Sequence, residues 1–277
     1  MALRGKTVVI TGAGSGIGLA TATAFAQLGA NVAIGDVDAE LAESAAQHLA
    51  GYGGFVDVRC SASFEAFLTA AEQALGPMDV LVNNAGIMPT GAFHKESEDI
   101  TDTQIAVNLK GVIVGSKLAV KRMLPRRDGH IVNVASMAGR LAIPGLAVYC
   151  ATKFAVVGLT ESLREEYRDH GIYFTSILPA KVTTELAAGT EGADLGIPSS
   201  SPEEVAQAIV KAVLKQQGEV AVPSYLGLLN GMQGFAPKGV LRGIRRIFND
   251  QRILHGLDEK ARQGYNQRIK KLSDKER

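Results

Sequence analysis

A chain of 277 residues that is 46% hydrophobic and 21% charged, with a formal net charge of +1 and no Trp, is long enough for one sizeable α/β core plus a tail. The near-neutral balance excludes the strong basic excess of a general nucleic-acid binder. Two cysteines, Cys60 and Cys150, are too few for a disulfide-stapled secreted fold and favour a reducing compartment.

The opening MALRGKTVVITGAG runs straight into a strand pattern with no signal-peptide h-region, and no apolar run reaches the roughly 18 residues of a membrane span, so a cytoplasmic protein is expected. Short β-branched runs then alternate with helical stretches. Strands are predicted at residues 6–10 (KTVVI), 31–36 (NVAIGD), 55–58 (FVDV), 78–82 (MDVLV), 130–134 (HIVNV), 173–178 (YFTSIL) and 218–222 (GEVAV). Continuously apolar strands separated by helices predict a mostly parallel, doubly wound Rossmann-type sheet of seven strands with helices on both faces. Ligands of such sheets sit outside the carboxyl ends of the strands.

The first strand leads into Gly12, Gly14, Ser15, Gly16, Ile17 and Gly18, then an apolar-periodic helix. Glycines there let the backbone approach a pyrophosphate, and the helix N-terminus offers free N–H groups and partial positive charge. The spacing is G-x-x-x-G-x-G rather than G-x-G-x-x-G, and a Gly-rich bend reads the same way in isolation. Asp36 closes the second strand where a carboxylate accepts both hydroxyls of an adenosine ribose and repels a 2′-phosphate, and residues 12–18 and 35–38 hold no Arg or Lys. NAD is therefore expected over NADP. Asp38 reads as the cap of the next helix. Asp57 with Val58 is a candidate for the adenine edge, although Asp at a strand end is common.

Further along, Asn84, Ala85 and Gly86 make a turn after the fourth strand, Asn108 lies in a helical stretch, and Ser136 follows the fifth strand. Tyr149 and Lys153 are i and i+4 on a helix, so they share a face. A phenol of pKa about 10 is too weak a base near neutrality, and an adjacent ammonium favours its charged form. Tyr149 is accordingly the expected general acid and base, with Ser136 holding the substrate oxygen beside it. No His or Asp completes a serine-hydrolase triad around Ser136.

TGAGSGIG at 11–18, NNAG at 83–86, Asn108, Ser136 and the Tyr149-x-x-x-Lys153 spacing together resemble the short-chain dehydrogenase/reductase family over residues 5–225. That resemblance implies a nicotinamide cofactor and a catalytic set of Asn108, Ser136, Tyr149 and Lys153. Asn108 would hold a water on a proton relay to Lys153, Lys153 would also bind the nicotinamide ribose, and the NNAG turn would support the cofactor. It further implies nicotinamide and phosphate contacts from Pro179, Val182 and Thr184. Ala180 stands where the family usually has glycine, which puts the geometry of that turn in question.

Candidate substrate walls are residues 87–93, 137–149 and 185–201, mostly apolar through Met88, Phe93, Met137, Leu141, Ile143, Leu146, Leu186, Leu195 and Ile197. They suit a hydrophobic secondary alcohol or ketone, steroid-, retinoid-, terpene- or lipid-like. Residues 187–201 read as a mobile lid, with a plain surface loop as the alternative, ending in Ser201 as N-cap and Pro202 as first residue of a helix. Cys150 reads as packing, Arg140 has no assigned role, and no His shows metal-ligand spacing.

Residues 238–277 carry 12 Lys and Arg against 5 Asp and Glu, the rest 17 against 23. Val240, Ile244, Ile247 and Phe248 at helical spacing predict a basic amphipathic helix that packs on the body or a sister subunit, or meets an anionic membrane as a peripheral contact. The expected division is a catalytic and NAD-binding unit over 1–225 and a C-terminal extension over 226–277. A homodimer or homotetramer is implied by the resemblance. The rival function is an NAD-binding sensor or scaffold working through the tail; an epimerase or dehydratase is a further rival within the same fold.

Overall fold

In this computed structural model the described residues are 3–189, 199–227 and 258–274. Seven parallel strands form one sheet: β1 (Thr7–Thr11), β2 (Asn31–Asp36), β3 (Tyr52–Phe55), β4 (Met78–Asn83), β5 (Gly129–Val134), β6 (Ile172–Pro179) and β7 (Glu219–Val222). Their order is β3-β2-β1-β4-β5-β6-β7. β1, β4 and β5 are buried along their whole length, as strands covered on both faces must be.

Side chains alternate between the two faces. Val8 and Ile10 of β1 join Phe25 of α1 (Gly16–Gln27), Ala42 of α2 (Ala39–His48) and Ile209 of α7 (Pro202–Lys215) in one cluster. Val9 turns to the other side, where Phe64 and Leu68 of α3 (Ser61–Leu75) meet Leu118 and Met123 of α5 (Gly111–Met123). Between these lie α4 (Glu98–Ile105) and α6 (Ala147–Glu166), and α8 (Glu259–Asp274) closes the described chain. The crossovers diverge from β1 toward β2 on one side and β4 on the other. This opens a crevice at the carboxyl ends of the two strands.

Six predicted strands match to within about a residue, and the third does not. β3 is Tyr52–Phe55, so Val56, Asp57 and Val58 follow the strand instead of forming it. Its pairing with Ala33 to Asp36 of β2 sets that register. Gly53 lies so close to α2 that a Cβ there would sit 2.5 Å from the carbonyl oxygen of Ala42. Tertiary approach, not strand propensity, therefore fixes this edge strand.

Helix starts follow their expected chemistry. The Asp38 carboxylate accepts from Leu41 N at 3.2 Å. Ser201 Oγ accepts from Glu204 N at 3.2 Å, and the Glu204 carboxylate accepts from Ser201 N at 2.9 Å, a reciprocal capping box with Pro202 as first residue. Most of the expected lid (residues 190–198) and the expected amphipathic helix around residues 240–248 lie outside the described residues. Among the described residues no helix is long and apolar enough to cross a membrane.

Candidate active site

A cleft of about 720 Å³ follows the carboxyl edge of the sheet. Its floor is the turn after β1. Gly12 has φ +63°, and a Cβ there would lie 2.7 Å from Ala85 Cα; a Cβ at Gly18 would lie 2.4 Å from the Gly12 carbonyl oxygen. The first glycine lets the turn meet the loop after β4, and the last sits beneath the turn, away from the cleft. A Cβ at Gly16 would point at Thr184, 3.5 Å from its methyl, closing a gap that the missing side chain leaves open. Ser15 caps α1 without giving its side chain to a first-turn amide, and that turn carries no acidic residue. This cradle fits a dinucleotide's diphosphate, which needs open space, free amides and no competing carboxylate.

The Asp36 carboxylate reaches this turn, accepting from Gly14 N at 3.0 Å and Asp38 N at 3.2 Å. It lines the cleft with Val37, Asp38 and Leu41, a wall without a cation. Asp57 and Val58 also line it, but the Asp57 carboxylate is engaged by the Arg59 guanidinium at 2.7 Å. Asn84 lines the cleft, and its amide Nδ2 donates to the carbonyls of Thr11 and Gly12, both at 2.9 Å. It thereby fastens the β4 turn to the glycine turn, with Ala85 and Gly86 beside it along the cleft.

At the other end Ser136, Tyr149 and Lys153 converge. Ser136 leaves β5 at its carboxyl end; its Oγ donates to the Pro179 carbonyl at 3.4 Å and accepts from Ala138 N at 3.1 Å. Lys153 Nζ lies 5.6 Å from the Tyr149 ring centroid and donates to the Val134 carbonyl at 2.8 Å. Burial brings the Lys153 ammonium down to about 8. It also pushes the Tyr149 phenol up, which the Ser136 hydroxyl beside it offsets only in part. The sequence led us to expect Lys153 to draw the phenol down; in the protein alone desolvation wins and Tyr149 is a neutral phenol.

Asn108 sits in a turn of helix widened to π geometry, Ala106–Lys110, next to the site. Its Oδ1 accepts from Ile87 N and its Nδ2 donates to Ile87 O, both at 2.8 Å. The side-chain amide thus holds the Ile87 backbone from both sides. A Cβ at Gly86 would lie 3.4 Å from Asn108 Oδ1 and 3.7 Å from Lys153 Nζ, so the three positions adjoin.

Pro179, Val182 and Thr184 line the cleft after β6. Ala180 is accommodated because it extends the sheet, donating its N–H to Val222 O at 2.8 Å, and it has no positive φ. Of the expected substrate walls, Met88, Met137, Leu141, Ile143, Leu146 and Leu186 line the cleft. Phe93 does not: it is 71% exposed and borders a separate shallow groove with Ile105, Leu109 and Val148. Arg140 pairs with Glu219 at 2.6 Å.

The sequence reading missed α8. Tyr265, Arg268, Ile269 and Leu272 line the cleft, and Arg262 lies buried behind them. The 3-4-3 spacing of 262, 265, 269 and 272 was the available signal, obscured by an arginine at its head.

The chain matches the short chain dehydrogenase family over residues 6–194. It is 40% identical over 215 residues to 2-(S)-hydroxypropyl-CoM dehydrogenase 3 of Xanthobacter autotrophicus, covering 76% of this chain and 82% of that one. It is 39% identical over 253 residues to the oxidoreductase UcpA of Salmonella typhi, covering 89% and 94%. A crystal structure of a short-chain dehydrogenase/reductase from Burkholderia phymatum in complex with NAD superposes with a TM-score of 0.77 at 29% identity, covering 84% of this chain and 94% of that one.

Proposed function

Because this chain belongs to the short-chain dehydrogenase family, we propose that it is an NAD-dependent oxidoreductase interconverting a hydrophobic secondary alcohol and its ketone. The observation that carries the reading is the convergence of Ser136, Tyr149 and Lys153 in the same cleft as the glycine cradle and Asp36.

Gly16, Ile17 and the α1 N-terminus would hold the diphosphate, and Asp36 the adenosine ribose, with Asp57 and Val58 toward the adenine. Ala85, Gly86, Lys153, Pro179, Val182 and Thr184 complete the cofactor's side of the cleft. When bound, NAD supplies the acceptor for the hydride leaving the substrate carbon.

The protein's own part is proton transfer and orientation. Ser136 hydrogen-bonds the substrate oxygen, and Tyr149 takes the hydroxyl proton in oxidation or returns it in reduction. A phenol raised by burial holds its proton well for reduction. Lys153 supplies the nearby positive charge that makes the phenolate accessible for oxidation. Asn108 keeps the Ile87 backbone, and with it the Gly86 turn, in place.

Met88, Met137, Leu141, Ile143, Leu146 and Leu186 make an apolar substrate end, which supports a hydrophobic substrate. The shallow groove beside Phe93 supports a homo-oligomer formed over α4 and α6. We place the protein in the cytoplasm, with residues 238–277 as a candidate peripheral membrane contact; liposome pelleting with and without them tests the latter. The reaction is tested by NADH formation from NAD, and separately NADPH from NADP, across short-chain, steroid, retinoid and terpene alcohols. Turnover with NAD on apolar members is expected; no turnover by protein that binds NADH would remove the reading.

A further inference from the structure

The described residues place α8 across the mouth of the cleft, joined to both of its lips. On the β4 side, Met88 N donates to Tyr265 Oη at 2.8 Å. On the β6 side, Asp258 N, at the head of α8, donates to Gly189 O at 3.0 Å, and Arg268 pairs with Glu185. Arg262 spans the two: its guanidinium donates to Met88 O at 2.8 Å, Ala188 O at 2.8 Å and Leu186 O at 3.4 Å. The far end is held by Arg59, which donates to Leu272 O at 2.9 Å.

An arginine that is 1% exposed is costly to bury unless its donors are used, and here both of its Nη groups donate to backbone carbonyls of the two loops that border the substrate end. The same guanidinium stacks 5.0 Å from the Tyr265 ring centroid, fixing that ring's place. Tyr265 lines the cleft together with Tyr149.

We propose that α8 is a wall of the substrate site: Tyr265 is a specificity-determining residue that limits the room in front of Tyr149, and Arg262 is a positioning residue that sets the distance between the Met88 and Leu186 loops. The proposal rests on the oxidoreductase reading above and assigns its site a boundary from outside the residues that match the family. A bulky ring at position 265 favours slender secondary alcohols over wide ones, and the apolar lining sets their polarity.

The test uses the full chain with NAD and four methyl carbinols of increasing width: 2-butanol, 2-octanol, 4-phenyl-2-butanol and 1-(2-naphthyl)ethanol. Tyr265→Ala is expected to raise the kcat/KM ratio of the naphthyl over the butyl alcohol by about tenfold, mostly through KM, the scale on which pocket contacts discriminate. NADH affinity should stay within about twofold, since no cofactor contact is removed. Arg262→Met should raise KM for the whole series, and Arg262→Lys should restore part of it.

A second measurement stands apart from turnover. Tyr265→Phe keeps the ring but removes the acceptor of the Met88 N–H, so hydrogen exchange at that amide should quicken by about tenfold or more while β1 and β4 exchange as before. Unchanged width selectivity in Tyr265→Ala would overturn the specificity role, and unchanged Met88 exchange in Tyr265→Phe would overturn the placement of α8. If the wild type binds NADH yet oxidises none of the four, the oxidoreductase reading falls, whereas the exchange result still decides where α8 lies.

Discussion

Replacing Asp36 separates the charge of the adenosine pocket from its shape. Asp36→Asn keeps an oxygen to accept the Gly14 N–H, now at 3.0 Å, but removes the negative charge. Asp36→Ala removes both and also frees the Asp38 N–H. A hydrogen bond from a ribose hydroxyl to a carboxylate contributes about 1.5–3 kcal/mol, so losing even one should weaken NADH binding by about 10- to 150-fold. For NADPH the sign reverses. A carboxylate about 4 Å from a 2′-phosphate is repelled by about 1–4 kcal/mol between water and partly buried limits, and removing it recovers that amount. The NADH to NADPH affinity ratio should fall by about 10³-fold in Asp36→Ala and nearly as far in Asp36→Asn. Fluorescence titration of the reduced nucleotides reads both affinities without a substrate, and melting temperatures separate a damaged turn from a changed preference. A ratio that moves less than about tenfold in folded variants would refute the placement of the ribose at Asp36.

Four other outcomes follow from the geometry. Burial lowers His130 from 6.5 to about 4, and its Nε2 meets Thr175 Oγ1 at 2.7 Å; the unfolded chain binds that proton first, so stability present above pH 6.5 drains as pH falls toward 4, by about 3 kcal/mol in all. Denaturant titrations should show this slope flattened in His130→Gln, and an equal slope would exclude His130 as its source. Lys153 is lowered from 10.5 to about 8, so stability should rise between pH 8 and 10.5, and Lys153→Met should lose turnover while melting no lower than wild type at pH 7. Ser201→Ala breaks the capping box and should cost about 1 kcal/mol, a fall in Tm of about 2–4 °C by calorimetry; no fall would show the cap to be replaced by water. Phe93→Ser should leave Tm near that of wild type but reduce the mass found by light scattering, and an unchanged mass would dissociate the exposed groove from assembly.

Much of the site was legible because a parallel sheet brings all strand ends to one edge. Once the strands were placed, Gly12 to Gly18, Asp36, Asn84 to Gly86, Ser136 and Thr184 had to lie near one another however far apart in sequence. Tyr149 and Lys153 were singled out by the family resemblance, and helix periodicity put them on one face. What escaped the sequence depended on approach between elements. β3 carries two glycines at an edge and owes its limits to pairing with β2 and the nearness of α2, which no residue preference in FVDV revealed. The neutral state of the Tyr149 phenol depends on how deeply it is buried, and i, i+4 spacing says nothing of depth. In α8 the buried face begins with Arg262, a residue type that ordinarily marks a solvent-facing position; three carbonyls from two remote loops make that arginine an inside residue. The two carboxylate contacts of Asp36 were hidden for the same reason, since the fold of the glycine turn decides which amides face it.

The most direct test of proton transfer at the heart of this cleft is Tyr149→Phe, which keeps the ring and removes the hydroxyl. The account predicts that NADH formation from the best alcohol of the panel falls by about 10²- to 10⁴-fold, the usual share of a general acid or base, while NADH binds within a few-fold of wild type. Turnover that survives at near wild-type rate with the phenol gone would contradict it.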